Sequence, residues 1–222
     1  MAVRNPIRIK SKDIVTSPAG NETALAYSPN LSKDIQISLA NIAGYVQSLP
    51  VTKTRHAVIP IEWAEDGSVA PDAAELITDT NGNVRVRKFS GTVDQDVVIP
   101  WMVPDNLDAD EDVKFSVVGV ITEATTPSPT ERAYFGLAGY SIGHEDPIDG
   151  TFGDQVSVIA EIQSESQYDL FETYQSDAVT ITNLAAGELA MLQLQRRATE
   201  GQDTYAQKIG VSFLKIEYSI TE

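Results

Sequence analysis

Carboxylates crowd into two segments of the chain, and each has the make-up of a cation site. The segment Pro104–Asp112, PDNLDADED, places Asp108, Asp110 and Asp112 at alternate positions with Asp105 just ahead. Calcium loops offer oxygen ligands at such a spacing. The helix–loop–helix calcium motif also requires Gly at its sixth place and Glu at its twelfth. Counted from Asp108, those places hold Val113 and Gly119, so the pattern fails at both. The plainer reading is a solvated loop between strands. The second segment, Gly143–Asp154, holds His144, Glu145 and Asp146 in a row, with Asp149 and Asp154 beyond. Imidazole beside carboxylates suits a hard or borderline cation. However, His56 and His144 are the only histidines and there is no cysteine, whereas a catalytic zinc wants more imidazole or thiolate. Gly143, Pro147, Gly150 and Gly153 give this segment the composition of a long turn. No metal and no cofactor is therefore expected. Asp105, Asp108, Asp110, Asp112, His144, Glu145 and Asp146 stand as candidate residues for a loop binding site.

Other chemistries find little support. The chain has no G-x-S-x-G nucleophile elbow, no P-loop and no dinucleotide-binding glycine pattern. Two carboxylates set for glycoside hydrolysis could arise on any β scaffold, but nothing among the 32 acidic residues selects a pair. No enzyme is expected. Trp63, Trp101 and several tyrosines could stack sugars, although Trp101 sits inside an apolar run and reads as core. Arg196 and Arg197 end a run and precede Asp203, which suits a buried Arg–Asp pair tying a strand end to a loop.

The elements that must position these residues are mostly strands. Residues 1–30 show little periodicity and read as an extended arm, with Pro6, Pro18, Gly20 and Pro29 along it. Residues 32–49 carry Ile35, Leu39, Ile42, Val46 and Leu49 at alternating spacings of four and three. That seam predicts one short amphipathic helix, capped by Ser32 and stopped by Pro50. It lies on its own domain or at an oligomer axis. Gly44 costs it about 1 kcal/mol relative to Ala. From residue 56 the period changes. The runs 56–61, 84–89, 94–103, 113–122, 132–140, 155–162, 178–181, 189–196 and 208–220 read as strands. Pro100 marks an edge or a bulge. In the last run the apolar phase slips after Phe213, as a β-bulge would cause. The expected fold is all-β, an antiparallel jelly-roll-like sandwich over residues 56–222, preceded by the arm and one short helix in residues 1–55.

Charge divides at the same place. The net charge is −16; residues 1–55 hold seven basic and three acidic side chains, a balance of +4 that leaves −20 for the rest. An acidic body is a poor partner for nucleic acid, which needs clustered Lys and Arg. Arg4, Arg8, Lys10 and Lys12 on the arm suit an acidic neighbouring surface. No stretch is apolar over a bilayer's width, and Met1–Gly20 lacks the apolar centre of a secretory signal, so a soluble protein is expected.

Two segments carry a family resemblance. Val98–Val117, VIPWMVPDNLDADEDVKFSV, is similar to a stretch of the small jelly-roll structural proteins of tailed-phage and marine-virus particles. There an apolar strand ends in a Pro-Asp turn and a polar loop leads to the next strand. Glu188–Tyr218, with a strand ending at Arg196 and the loop residues Asp203 and Thr204, resembles the closing part of those proteins. The resemblance implies a virion protein, a head decoration, head fibre or tail-associated module. Its partners would be its own copies, in a homotrimer, and capsid or tail proteins. In that role Ile35, Leu39, Ile42, Val46 and Leu49 would pack between copies while Arg4, Arg8, Lys10 and Lys12 anchor. The alternative expectation is a carbohydrate-binding sandwich that takes host or matrix glycans on its loops.

Overall fold

The computed structural model describes residues 23–28, 33–38, 52–79, 82–123, 128, 130–162 and 166–221, the first two stretches as backbone only. The chain divides into two compact units, Met1–Val51 and Thr52–Glu222. That division falls four residues before the boundary expected at residue 55, because the first strand of the large unit already begins at Thr52.

In the small unit, β1 (Thr23–Ser28) and β2 (Lys33–Ser38) form an antiparallel hairpin with Thr23 opposite Ser38 and Ser28 opposite Lys33. This corrects the helix expected from residue 32: its first part is a strand, with Ile35 facing Ala26 across the ladder. Ile35 and Ile37 belong to a period-two pattern as well as to the heptad seam, and β-branched residues favour the strand. The segment expected as an unpaired arm likewise supplies β1. The remaining seam residues, Leu39, Ile42, Val46 and Leu49, and the arm cations Arg4, Arg8, Lys10 and Lys12 lie outside the described residues.

The large unit is a sandwich. Its elements in chain order are β3 (Thr52–Pro60), a 3₁₀ turn (Ile61–Trp63), β4 (Glu65–Asp66), β5 (Glu75–Asp79), β6 (Gly82–Phe89), β7 (Gln95–Met102) and β8 (Lys114–Ile121). They continue with β9 (Arg132–Ile142), β10 (Val156–Glu161), β11 (Leu170–Glu172), β12 (Ile181–Thr182), β13 (Leu189–Arg196) and β14 (Ile209–Thr221). One sheet runs β10-β9-β13-β7-β4, with β12 parallel to β9; the other runs β11-β8-β14-β6-β5, with β3 also on β14. The chain passes between the sheets repeatedly, for example from β7 to β8 to β9, as a jelly roll does. An all-β sandwich is thus what the alternating runs build.

Alternation explains the core. Along β8, Phe115, Val117 and Ile121 are buried in the core; along β13, Ala190, Leu192 and Leu194 are. Phe135 of β9 bridges the layers: its ring lies 6.3 Å from Phe89 of β6, edge-on, and 6.3 Å from Phe171 of β11, stacked. Trp101 is 5% exposed against Tyr218, a core residue as its run implied. Pro100 sits where β7 has lost its short neighbour β4, which pairs only with Val97 and Val98. It therefore occupies a local edge, where a missing N–H is harmless. The β14 ladder shifts register between Val211 and Phe213, which is the slip the phase change announced.

Two polar clasps brace the sandwich, and the first joins its layers. Arg196 at the end of β13 is fully buried and makes a two-bond fork to Asp203 at 2.9 Å each. Its other donors reach the carbonyls of Phe89, Gln207 and Tyr205. Asp96 of β7 is 1% exposed and accepts from the Val69 amide, the Ser68 amide and hydroxyl, and the Gln193 side chain. Burial pushes its pKa up, but these donors together outweigh it and hold the carboxyl below its ordinary value.

Candidate functional site

The two acidic loops come to the same end of the sandwich, on either side of Glu188. The amide of Val103 donates to the Glu188 carbonyl, and the Ser141 hydroxyl donates to its carboxylate at 2.9 Å. In the first loop Asp105, Asp110 and Asp112 are exposed. Asp108 is committed: one oxygen accepts from the Thr52 hydroxyl at 3.0 Å and the other from the Asp110 amide at 3.3 Å. The loop is laced to the end of β14 through Asp108 N–H to Ser219 and Thr221 N–H to Asn106. In the second loop His144, Glu145 and Asp146 are exposed, and the Asp146 carboxylate accepts from the Gly143 amide to close a turn. Tyr140 underpins this loop, donating to the Ile148 carbonyl and packing on Phe152. Among the described residues no three His, Asp or Glu side chains converge on a metal position.

Two hollows lie away from these loops, on the outward face of the β11-β8-β14 sheet. Because Phe115, Val117 and Ile121 point into the core, Lys114, Ser116, Val118 and Val120 must present the other face. By the registers, Leu170 and Glu172 of β11, Lys215 and Glu217 of β14, and His56 and Val58 of β3 share that face. At one end is an apolar hollow of about 240 Å³, lined by Ile77, Val84, Val120, Tyr168 and Leu170, with Gly82 and Asn83 at the hairpin side. Leu170 is 65% exposed, so this face offers apolar surface to solvent. Tyr168 holds φ at 74°, in the left-handed region that a bulky residue adopts only at a cost.

Further along β8 and β11 the character changes. A polar cleft of about 110 Å³ is lined by His56, Ser116, Glu172, Thr173, Gln175, Lys215 and Glu217. Lys215 pairs with Glu172 at 2.5 Å, and the Ser116 hydroxyl donates to the same Glu172 oxygen at 3.1 Å. The Lys215 hydrogen bond lowers the Glu172 pKa against the opposing effect of burial, with Ser116 assisting. The His56 Nε2 lies 3.9 Å from Glu217. Gln175 also lines a further hollow, with Tyr134, Tyr174, Ser157 and Gln202 around it. That hollow belongs to the sandwich edge, where β9 and β10 of the other sheet meet the segment after β11.

Sequence reasoning pointed to the loops and passed over this face. The signals were present but weak: Lys215 and Glu217 alternate with core residues, and His56 opens the first expected strand. Leu170–Glu172, the strand that joins apolar hollow to polar cleft, is too short to announce itself. Of the aromatic residues considered as a platform, Trp101 is buried and Trp63 is 63% exposed on the 3₁₀ turn.

No protein-family model matches this sequence, and a comparison with curated proteins gives no match. Among solved structures, the chain is similar to a carbohydrate-binding module, TmCBM27, described for specific mannan recognition: 8% identity, 75% of this chain and 98% of the other, TM-score 0.36. It is also similar to the family 11 carbohydrate-binding module of Clostridium thermocellum in complex with a β-1,3-1,4-mixed-linked tetrasaccharide: 14% identity, 75% and 87% covered, TM-score 0.31. These are likenesses of fold.

Proposed function

We propose that the Thr52–Glu222 unit is a non-catalytic module that binds neutral oligosaccharide on the outward face of the β11-β8-β14 sheet. The observation that carries this reading is Tyr168, a bulky residue in a left-handed backbone conformation, at the rim of an apolar hollow that leads to a hydrogen-bonding cleft. Backbone strain is kept where the site needs the side chain. Sugar rings present both apolar C–H faces and hydroxyls, so they fit a surface that changes from Tyr168, Leu170 and Val120 to Ser116, Glu172, Gln175 and His56. Net charge of −20 over residues 56–222 favours an uncharged ligand over an anionic one. The Lys215 and Ser116 hydrogen bonds lower the Glu172 pKa, so its carboxylate stands as an acceptor for sugar hydroxyls.

The test is calorimetric titration of wild type and Tyr168→Gly with a panel of neutral oligosaccharides. The variant removes the ring and relieves the backbone, so its stability should stay within about 1 kcal/mol of wild type. Its affinity should fall by tenfold or more, since an aromatic contact is worth about 0.5–1.5 kcal/mol beyond its buried area. Unchanged affinity would remove Tyr168 from the site.

A particle-structural role is a second proposal, favoured by the division of the chain into two compact units. In it the small unit holds the sandwich to other copies, in a homotrimer, or to capsid or tail proteins in a virion. The two readings are compatible.

A further inference from the structure

β10 ends its sheet, and its outer edge carries backbone groups without partners. It pairs with β9 with Val158 opposite Phe135, and the Ile162 amide continues that register by donating to the Glu131 carbonyl. Antiparallel ladders alternate hydrogen-bonded and non-bonded pairs. Val156, Val158 and Ala160 therefore spend their N–H and C=O on β9, and those of Ser157 and Ile159 point away from it. Among the described residues nothing bonds the Ser157 or Ile159 backbone on that side. Sheet edges are ordinarily guarded by charge, proline or a bulge. Elsewhere in this sandwich the charge is visible: β4 is Glu65–Asp66, and β5 runs from Glu75 to Asp79. β10, VSVIAE, has no proline and an unbroken register, and its one charge is its last residue.

A hollow of about 260 Å³ lies against this stretch of edge. Ser157, Val158 and Ile159 line it, together with Tyr134 of β9 and with Tyr174 and Asp177 from the segment after β11. Tyr174 is 67% exposed, and its hydroxyl donates to Glu161 at 3.2 Å, which pins the ring beside the edge. The Asp177 carboxylate is exposed and has no cation paired with it among the described residues.

We propose that the β10 edge takes an extended segment of a partner protein as a further antiparallel strand, and that the hollow seats a lysine or arginine side chain of that segment. The outward groups of Ser157 and Ile159 supply the backbone hydrogen bonds of such an addition, and the hollow supplies its specificity. The added residue opposite Val158 points to the same side as Val158, toward the segment that carries Tyr174 and Asp177. A cation there meets an uncompensated carboxylate and a tyrosine ring. The net charge of −20 over residues 56–222 draws a basic partner and repels a second copy of the same acidic body. The proposal is independent of the glycan reading, whose face belongs to the other sheet.

The test titrates the isotope-labelled 222-residue chain with two blocked synthetic peptides, SVTVKVTVS and SVTVEVTVS, followed by NMR and amide exchange. The lysine peptide should bind about tenfold more tightly than the glutamate peptide, the scale of one charge-assisted hydrogen bond. It should slow exchange at the Ser157 and Ile159 amides. Asp177→Asn should remove most of the difference between the peptides. Ile159→Pro deletes an outward N–H that the β9 ladder does not use, so the fold should survive while both peptides weaken by about tenfold. A lysine peptide methylated on its pairing backbone nitrogens makes the same test without altering the protein, and it should not bind. Equal affinity for the two peptides, no binding of the lysine peptide, or binding that leaves exchange at Ser157 and Ile159 unchanged would overturn the proposal. So would protection of those amides on raising protein concentration alone, with a doubled mass in light scattering, because the occupant would then be a second copy.

Discussion

Arg196 has every N–H donor of its guanidinium engaged, two on Asp203 and three on backbone carbonyls, at zero exposure. Removing one partner of such a pair leaves a buried charge without compensation. Arg196→Ala should therefore cost about 3–5 kcal/mol in denaturant unfolding. Arg196→Lys should recover little, since an ammonium cannot reproduce the planar fork. A loss under about 1 kcal/mol would mean the pair is dispensable. Asp96 gives a pH signature. Its folded pKa lies below its unfolded one, so its stabilisation is complete above the ordinary carboxylate value and drains away as pH falls through the lowered value. The stability gap between wild type and Asp96→Asn, measured by urea melts across the acid range, should accordingly be widest near neutrality and narrow toward low pH. A gap that widens on acidification would reverse the assignment. At this scale sequence carried part of the account: the Arg196–Asp203 pair was legible because Arg at a strand end and Asp in the next loop have few other uses. The donors on Asp96 come from Ser68, Val69 and Gln193, distant in sequence, and no local pattern announces them.

Elements explain why the strands were legible and the binding face was not. Runs such as Leu189–Arg196 alternate cleanly because one face is buried, so their bounds follow from the residues. The edge of β8 is different. Its partner β11 is three residues long, and beyond it backbone and side chain share the pairing: the Thr173 and Ser176 amides donate to the Val117 and Phe115 carbonyls, while the Thr173 hydroxyl accepts the Val117 amide at 3.0 Å and the Ser176 hydroxyl accepts the Phe115 amide at 2.9 Å. Hydroxyls taking the place of strand carbonyls leave no apolar period to read. Thr173→Val and Ser176→Ala should each cost about 1–3 kcal/mol, the penalty of an orphaned buried donor. Amide exchange should speed up at Val117 and Phe115 respectively. Protection unchanged at those two amides would show that the hydroxyls do not hold the edge. The hairpin of Thr23–Ser28 and Lys33–Ser38 shows the converse failure, where a seam fitting a helix also fitted a strand and pairing decided.

At the scale of the whole molecule, the division at Val51 makes the large unit a candidate for independent folding. Its core and both clasps are internal to Thr52–Glu222. A protein starting at Thr52 should keep the cooperative melt of the full chain to within a few degrees, by calorimetry. Light scattering of the two forms bears on the assembly proposal: an oligomer that becomes a folded monomer on truncation supports it, and identical masses remove the small unit from that role.

The glycan-binding face is tested most directly by an NMR titration of the isotope-labelled 222-residue chain with mixed neutral oligosaccharides, read residue by residue. The account predicts shifts gathered on Tyr168, Leu170, Val120, Val84, Glu172 and Lys215, one continuous patch of the β11-β8-β14 sheet. Shifts confined to Asp105–Asp112 and Gly143–Asp154, or none anywhere, would contradict it.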